Sequence, residues 1–170
     1  SPEFADEVEA ALADVAAKPE YMFKVEAVAE LAEPASAELA AIEATAIDEC
    51  FWLYSSGTTG EPKGVVHVHR DIIATCELYA VRVLGETEAD TWFSVPKLFF
   101  AYGLGCGMTF PLWVGGSVVL DPRRPTPDTV TEMVRRFKPT IFAAVPTFYA
   151  AWLAHDDFNK ADTASFVRCV

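Results

Sequence analysis

The stretch YSSGTTGEPKG, residues 54–64, decides how the rest of this sequence is interpreted. It is rich in Ser, Thr and Gly, and it carries one basic residue, Lys63. A run of β-forming residues stands on each side, at Phe51–Tyr54 and at Val65–Val68. Apolar runs bounded by glycine are typical of strands. The sequence therefore predicts a glycine-rich, hydroxyl-rich loop between two strands.

The residue types in this loop suit the binding of phosphate. Glycine allows backbone angles that are closed to other residues, so successive N–H groups can converge on an anion, while Ser, Thr and Lys63 add donors and charge. These features predict a triphosphate ligand. The loop is not a Walker A site, because Gly60 is followed by Glu61 and Pro62 where that motif has Lys and then Ser or Thr. A flexible surface turn is the alternative.

Short apolar segments alternate with helical patterns in the remainder of the chain. Helices are predicted from Asp71, as an N-cap, and from Thr126 with Pro127, until Pro139 interrupts the second pattern. The segments with the composition of strands are Trp92–Val95, Val118–Leu120 and Ile141–Ala144. This alternation predicts an α/β fold class with a mostly parallel sheet covered by helices, whose ligands lie at the carboxyl ends of the strands.

Composition excludes several functional classes. The chain is 52% hydrophobic and 22% charged, which is ordinary for a packed globular protein. It has no basic stripe to hold nucleic acid and no apolar run of roughly 20 residues to span a membrane. The cysteines are widely spaced, without a CxxC pair, so neither a zinc site nor a disulfide framework is predicted and a reducing cytoplasm is expected. They are Cys50, Cys76, Cys106 and Cys169.

Charge divides the chain into parts. Residues 1–50 hold 13 acidic and 2 basic residues, although the net charge of all 170 residues is −12. Residues 1–4, SPEF, look like a cloning scar, residues 5–49 form an acidic lead-in with short helices, and residues 50–170 form an α/β segment. Within the lead-in, helices are predicted at Ala5–Ala17 and Ser36–Glu43 with a strand between them at Tyr21–Val28.

The loop closely resembles the phosphate-binding signature of the adenylate-forming superfamily, which includes acyl- and aryl-CoA ligases, luciferases and peptide-synthetase adenylation domains. The resemblance continues through GVVHVHRDI, VPKLFFAYGLGCGMTFPLWVGG, RPTPDTV and VPTFYAAWLA, so it covers about Asp48 to Val170. This stretch looks like the benzoate-CoA ligase branch. In that family a carboxylate attacks the α-phosphate of Mg-ATP, pyrophosphate leaves, and the coenzyme A thiolate displaces AMP.

The resemblance implies a role for particular residues. Seven of them would hold the β- and γ-phosphates of ATP with Mg²⁺ and stabilise charge on the leaving pyrophosphate: Ser55, Ser56, Gly57, Thr58, Thr59, Gly60 and Lys63. In KLFFAYGLG, residues 97–105, Phe100, Ala101 and Tyr102 would form a flat apolar slot for the ring of a small aromatic carboxylate, with Gly103 allowing close approach. Without the family, this segment is equally consistent with a core helix.

Two features are interpreted as structural. His67 and His69 lie two apart on a predicted strand, but a metal site needs three or four ligands, so packing or a hydrogen bond is favoured and no metal site is predicted. The GETEAD stretch at 85–90 is interpreted as a helix-to-strand turn.

The family's later motifs are not found, and the chain stops at FVRCV. We therefore expect a fragment of the large N-terminal domain that is inactive alone and prone to self-association. Three interpretations stay open: a fragment of an ATP-dependent aryl-CoA ligase, a fatty-acyl ligase or amino-acid-activating domain, and a non-catalytic nucleotide-binding module.

Overall fold

The computed structural model describes residues 5–16, 19, 28, 32, 38, 40–56 and 60–170. The chain divides into two compact units, Ser1–Glu43 and Ala44–Val170. In the first unit, helix α1 spans Ala5–Ala13, and Asp6 and Glu7 in its first turn complement the positive end of the helix dipole. The predicted helix is thus present but ends earlier than Ala17.

The other predictions for the lead-in fare differently. The helix predicted at Ser36–Glu43 is wrong for the described residues of that range, since residues 38 and 40–43 are not helical. Ser36 itself lies outside the described residues. The strand predicted at Tyr21–Val28 falls almost wholly outside them, at residues 21–27, and Val28 is not in a strand.

The second unit begins with an antiparallel hairpin. Strand β1 spans Glu49–Ser56 and β2 spans Pro62–Val68, with Ser55 opposite Lys63, so both strands predicted around the loop are confirmed. Among the described residues, β1 and β2 pair only with each other. The strand that precedes the loop therefore does not belong to the parallel sheet, at whose carboxyl strand ends the ligand was expected. Residues 57–61 are too short a connection for a parallel crossover, which needs a dozen or more residues.

A parallel sheet forms the centre of the second unit. Its strands, in the spatial order β4-β3-β5-β6, are β3 (Thr91–Ser94), β4 (Ser117–Val119), β5 (Ile141–Ala143) and β6 (Arg168–Cys169). Trp92 and Ile141 face one apolar cluster, while Phe93 and Phe142 face the other, because successive strand residues point to opposite faces. Burial on both faces confirms the α/β fold class with its helix-covered parallel sheet.

Helices connect these strands. They are α2 (His69–Thr75), which continues as a π-helical turn (Cys76–Val81), α3 (Ala101–Leu104), a second π-helical turn (Gly105–Thr109), α4 (Phe110–Val114), α5 (Pro127–Phe137), α6 (Pro146–Leu153) and a 3₁₀ helix (Lys160–Ser165). In the part of the chain that the structure describes, none of the helices combines the length and apolarity required to cross a bilayer.

Two helix ends can be compared with the capping residues predicted from the sequence. Thr126 is the N-cap of α5, as predicted, and its hydroxyl accepts from the Thr129 N–H at 3.3 Å. Lys138 closes α5 in the left-handed conformation just before Pro139. Asp71, in contrast, is not the N-cap of α2. It is the third helical residue, and its carboxylate accepts from the N–H of Val68 at 3.1 Å.

The GETEAD stretch is a turn into β3, as predicted. Gly85 has a φ of +64°, and the carboxylate of Asp90 accepts from the Thr87 N–H at 2.9 Å. The same buried carboxylate accepts from the Thr140 hydroxyl at 2.8 Å and pairs with Arg168 at 3.2 Å. Asp90 therefore ties the turn to the residue that precedes β5 and to β6.

Candidate functional site

The hairpin presents the outer part of the glycine-rich loop. Residues 57–59, which include the predicted Gly57, Thr58 and Thr59, lie outside the described residues. Ser55 and Lys63 are directly opposite each other in the two strands and both are exposed. Directly opposite residues of an antiparallel pair project to the same face. The hydroxyl and the ammonium group therefore share one side of the hairpin at the base of the loop.

Gly60 is the described glycine within this loop. Its φ is +87°, a conformation that favours glycine, and no described residue lies within 4 Å of a β-carbon built at this position. Ser56 ends β1 opposite Pro62, and both residues are exposed. The loop base is thus open to a ligand approaching from solvent.

His67 and His69 occupy different surroundings. The His67 ring stacks on Phe51 at 4.9 Å, and its Nδ1 lies 3.2 Å from the carboxylate of Asp71. His69 is the first residue of α2 and donates its N–H to the Asp48 carbonyl at 3.2 Å, so the prediction that both histidines lie on one strand is wrong. Among the described residues, no group of His, Cys, Asp and Glu is arranged to hold a metal ion.

A second feature is a cavity of about 880 Å³. It lies where the loops that follow β3, β4 and β5 meet, which is the carboxyl end of the parallel sheet. Ligands of such sheets bind at this end. Its walls are mainly apolar and are formed by Val95, Pro96, Lys97, Phe100, Tyr102, Arg124, Pro125, Thr126, Pro127, Val145, Thr147, Phe148 and Ala151.

The structure separates the residues predicted for the acyl slot. Phe100 and Tyr102 line the cavity, whereas Ala101 and Gly103 are not among its lining residues. Gly103 is buried against the preceding turn, and a β-carbon at this position would lie 2.0 Å from the Lys97 carbonyl oxygen. Glycine at 103 therefore lets the start of α3 pack closely on the backbone of Pro96 and Lys97.

Tyr102 is fixed as a wall of the cavity. Its hydroxyl donates to the main-chain oxygen of Val170 at 2.6 Å and lies 3.4 Å from that of Ala144. Burial raises the pKa of Tyr102 to about 12. The phenol is consequently neutral over the ordinary pH range and acts as a hydrogen-bond donor.

Sequence reasoning missed Lys97, which also lines the cavity. Its ammonium group donates to the carbonyl oxygens of Asp121 and Arg123, each at 2.6 Å. The signal in the sequence was a single charged residue within the apolar stretch VPKLFFAYG. Arg124, on the loop after β4, and Phe148, on α6, were also not predicted as walls, because the strands that bring them together are far apart in sequence.

The sequence matches the AMP-binding enzyme family over residues 3–170, nearly the whole chain. The chain belongs to the AMP-binding enzymes. This family assignment confirms the resemblance to the adenylate-forming superfamily, and it includes the acidic lead-in as well as the α/β unit.

Relatives among these AMP-binding enzymes are ligases of aromatic acids. The benzoate–CoA ligase of Thauera aromatica is 56% identical over 122 residues, which cover 72% of this chain and 23% of that protein. The 4-hydroxybenzoate–CoA/benzoate–CoA ligase of Rhodopseudomonas palustris is 50% identical over 116 residues, 68% of this chain and 21% of that protein. The chain thus spans about a quarter of the length of the relatives it matches.

Solved structures of AMP-binding enzymes agree with this relationship. A benzoate CoA ligase from Burkholderia xenovorans LB400 superposes with a TM-score of 0.76 and 41% identity, covering 83% of this chain and 28% of that one. The anthranilate CoA ligase AuaEII, solved with anthranoyl-AMP, superposes with a TM-score of 0.72 and 43% identity, covering 78% and 26%.

Proposed function

We propose that this chain is the phosphate-binding and acid-binding part of an ATP-dependent, AMP-forming aryl-CoA ligase. The observation that carries the proposal is the apolar cavity at the carboxyl end of the sheet, lined by Phe100 and Tyr102, in a chain 56% identical to a benzoate–CoA ligase. A benzene ring is flat and apolar, and aromatic walls suit it. The substrate class is a benzoate or a substituted benzoate.

The loop supplies the phosphate site in this proposal. Ser55 and Lys63 would face the β- and γ-phosphates from one side of the hairpin, with Ser56, Gly60 and the N–H groups of residues 57–59 completing the site. Their fixed charges and dipoles stabilise the negative charge that grows on the leaving pyrophosphate. Mg²⁺ bound with ATP would neutralise further phosphate charge.

The cavity supplies the binding site for the acid in this proposal. It holds the ring of the acid while the carboxylate oxygen bonds to the α-phosphorus of ATP and the bond to pyrophosphate breaks. Apolar walls limit access of water to the acyl-adenylate, which water would hydrolyse. The coenzyme A thiolate then bonds to the acyl carbon, and AMP leaves with the electron pair of the broken bond.

Pyrophosphate exchange tests the proposal directly. A chimera in which residues 3–170 replace the matching segment of the Thauera aromatica ligase is expected to catalyse benzoate-dependent ATP–pyrophosphate exchange. Lys63→Ala is expected to lower exchange about 10- to 100-fold, because a charge-assisted contact to phosphate is lost. Lys160→Ala, at an exposed position of the 3₁₀ helix, is the matched control.

The alternatives are separated by the choice of acid. Exchange driven only by a fatty acid or an amino acid would replace the aryl-acid proposal with one of those activities. ATP binding without any acid-dependent exchange would favour a nucleotide-binding module. The 170-residue chain alone is expected to form no AMP from benzoate and ATP, because it spans about a quarter of the length of the ligases that it matches.

Two further properties belong to the proposal. We propose that the chain self-associates, because the hairpin exposes Trp52 and Tyr54 and the cavity segment exposes Phe99, at 52%, 70% and 74%. Sedimentation velocity over a range of concentrations tests this, and one concentration-independent monomer peak would contradict it.

We also assign the protein, with no nucleic-acid or membrane partner, to the cytoplasm, because all four cysteines are free thiols, as is usual in a reducing compartment.

A further inference from the structure

Lys97 joins two walls of the cavity that come from different parts of the chain. It follows β3, on the segment that continues to Phe100 and Tyr102, and its ammonium group reaches the segment that follows β4. There it donates to the carbonyl oxygens of Asp121 and Arg123 at 2.6 Å each. An ammonium group has three donors and no acceptor, so two of them are used in this bridge.

The backbone of Lys97 also fixes the aromatic wall, which is the part of the cavity lining formed by Phe100 and Tyr102. Its carbonyl oxygen accepts from the N–H of Phe100 at 3.0 Å. The α-carbon of Gly103 packs so closely on the same carbonyl group that a β-carbon would have no room. The position of Lys97 therefore determines where Phe100 and the first turn of α3 stand.

The opposite end of the bridge is braced as well. Arg123 pairs with the carboxylate of Asp121 at 2.8 Å and with Glu132 of α5 at 2.7 Å. The pair with Glu132 is exposed and such pairs are individually weak, but together the two ion pairs hold both carbonyl acceptors against α5. Arg124 and Pro125, which come next in the chain, line the same cavity as Phe100.

We infer that Lys97 is a positioning residue that sets the width of the cavity and thereby selects among ring substituents of the aryl acid. The inference rests on the proposed function. Because the ammonium group is committed to two carbonyl oxygens, it acts through the walls rather than on the reacting atoms. Without the bridge, the aromatic wall and the Arg124–Pro127 wall can separate, and a larger ring then fits as well as a small one.

Selectivity in the chimera tests the inference. Lys97→Met is expected to raise KM for benzoate about 10-fold, because misplaced walls weaken binding of the ring. The preference between benzoate and 4-hydroxybenzoate is expected to fall toward unity, while KM for ATP stays within about 2-fold. Lys97→Arg, which can still donate to both carbonyl oxygens, is expected to restore most of the preference.

Controls separate positioning from a general loss of stability. Lys160→Met removes an exposed lysine and is expected to change none of these values. If Lys97→Met does not fold, Lys97→Gln, which keeps one amide donor, is expected to show an intermediate loss of preference. The inference would be overturned by a result in which kcat/KM changes equally for both acids, KM for ATP changes as well and Tm falls. Lys97 would then have only a structural role.

The parent chimera distinguishes the two levels of proposal. If it shows no aryl-acid-dependent exchange, the proposed function fails. If it is active and Lys97→Met keeps the original preference between the two acids, the proposed function stands and the positioning role of Lys97 is overturned.

Discussion

The hydroxyl of Tyr102 donates a 2.6 Å hydrogen bond to the main-chain oxygen of Val170, 68 positions later in the chain. Tyr149 shares this acceptor, with its hydroxyl 3.2 Å away. A residue at the cavity wall is thus anchored beside β6, at the far edge of the sheet. The relationship connects the shape of the cavity to the packing of the whole α/β unit.

Tyr102→Phe tests the strength of this anchor. The ring remains, but the hydrogen bond is lost, and we expect unfolding to become about 1 kcal/mol easier because Tyr149 still satisfies the acceptor. Urea unfolding of the 170-residue chain measures the change. Tyr54→Phe is the matched control, since Tyr54 is an exposed residue of β1, and its expected change is within about 0.5 kcal/mol. Equal shifts in both variants would show that the anchor contributes nothing.

Gly103→Ala tests the close contact with Lys97. The added β-carbon would lie 2.0 Å from the Lys97 carbonyl oxygen, and backbone cannot move away cheaply. We expect a loss of about 3 kcal/mol or more. Gly115→Ala is the comparison, because Gly115 has a φ of +75° but open space around it, so only about 1 kcal/mol of backbone strain is expected. A Gly103→Ala protein as stable as Gly115→Ala would contradict the geometry.

The burial of Glu86 is expected to make the folded protein less stable as the pH rises. One carboxylate oxygen accepts from the Trp92 indole, and the other has no partner among the described residues. Burial raises the pKa of Glu86, with the indole hydrogen bond opposing the shift. A carboxyl whose pKa is raised by folding stabilises the folded protein below its unfolded pKa of about 4.3, and this contribution is lost as pH rises through the folded pKa.

Glu86→Gln is therefore expected to stabilise the chain at pH 7.5 more than at pH 4.5, since the amide keeps an acceptor for Trp92 without a buried charge. Urea unfolding at the two pH values measures the difference. Glu88→Gln, at an exposed position of the same turn, serves as control. A stabilisation that is the same at both pH values would argue against titration of Glu86.

Thiol reactivity is expected to fall into two classes. Cys76 and Cys106 are buried, and burial raises the pKa of both thiols, that of Cys106 to about 12. Cys169 is exposed and Cys50 partly so. Because the thiolate is the reactive form, Cys106 is expected to react with Ellman's reagent at least about 100-fold more slowly than Cys169.

Titration at pH 7.5 should therefore show a fast phase from Cys169 and Cys50 and a slow phase from the buried pair. In denaturant, all four thiols should react in one fast phase. Four fast thiols in the native chain would mean that the cluster around Trp92 opens readily.

Much of the local structure was predictable from the sequence. The strands on both sides of the glycine-rich loop, three of the four strands of the parallel sheet and the start of α5 at Thr126 all follow from signals within a few residues of each position. The three predicted sheet strands each end one residue too late, at Val95, Leu120 and Ala144. Strand composition locates a segment but not the last backbone hydrogen bond.

Misassigned features have physical explanations. Asp71 caps α2 from its third position rather than from the N-cap, because a carboxylate there can reach back to the N–H of Val68. Gly103 was predicted to allow close approach of the ring, and the structure shows in addition that its α-carbon packs on the Lys97 carbonyl group, where a β-carbon would lie 2.0 Å from the oxygen. The sequence shows that Asp71 is charged and that Gly103 is small, but the contacts of each residue depend on the surrounding structure.

The sequence by itself determined the family, the α/β class and the loop that is proposed to hold phosphate, because each rests on residues adjacent in the chain. Tertiary structure alone decided that the loop joins an antiparallel pair and that Lys97 bridges two cavity walls. The acceptors of Lys97 lie 24 and 26 positions away and meet it because β3 and β4 pair in register. Contacts of that range depend on how the strands assemble, which no short stretch of sequence encodes.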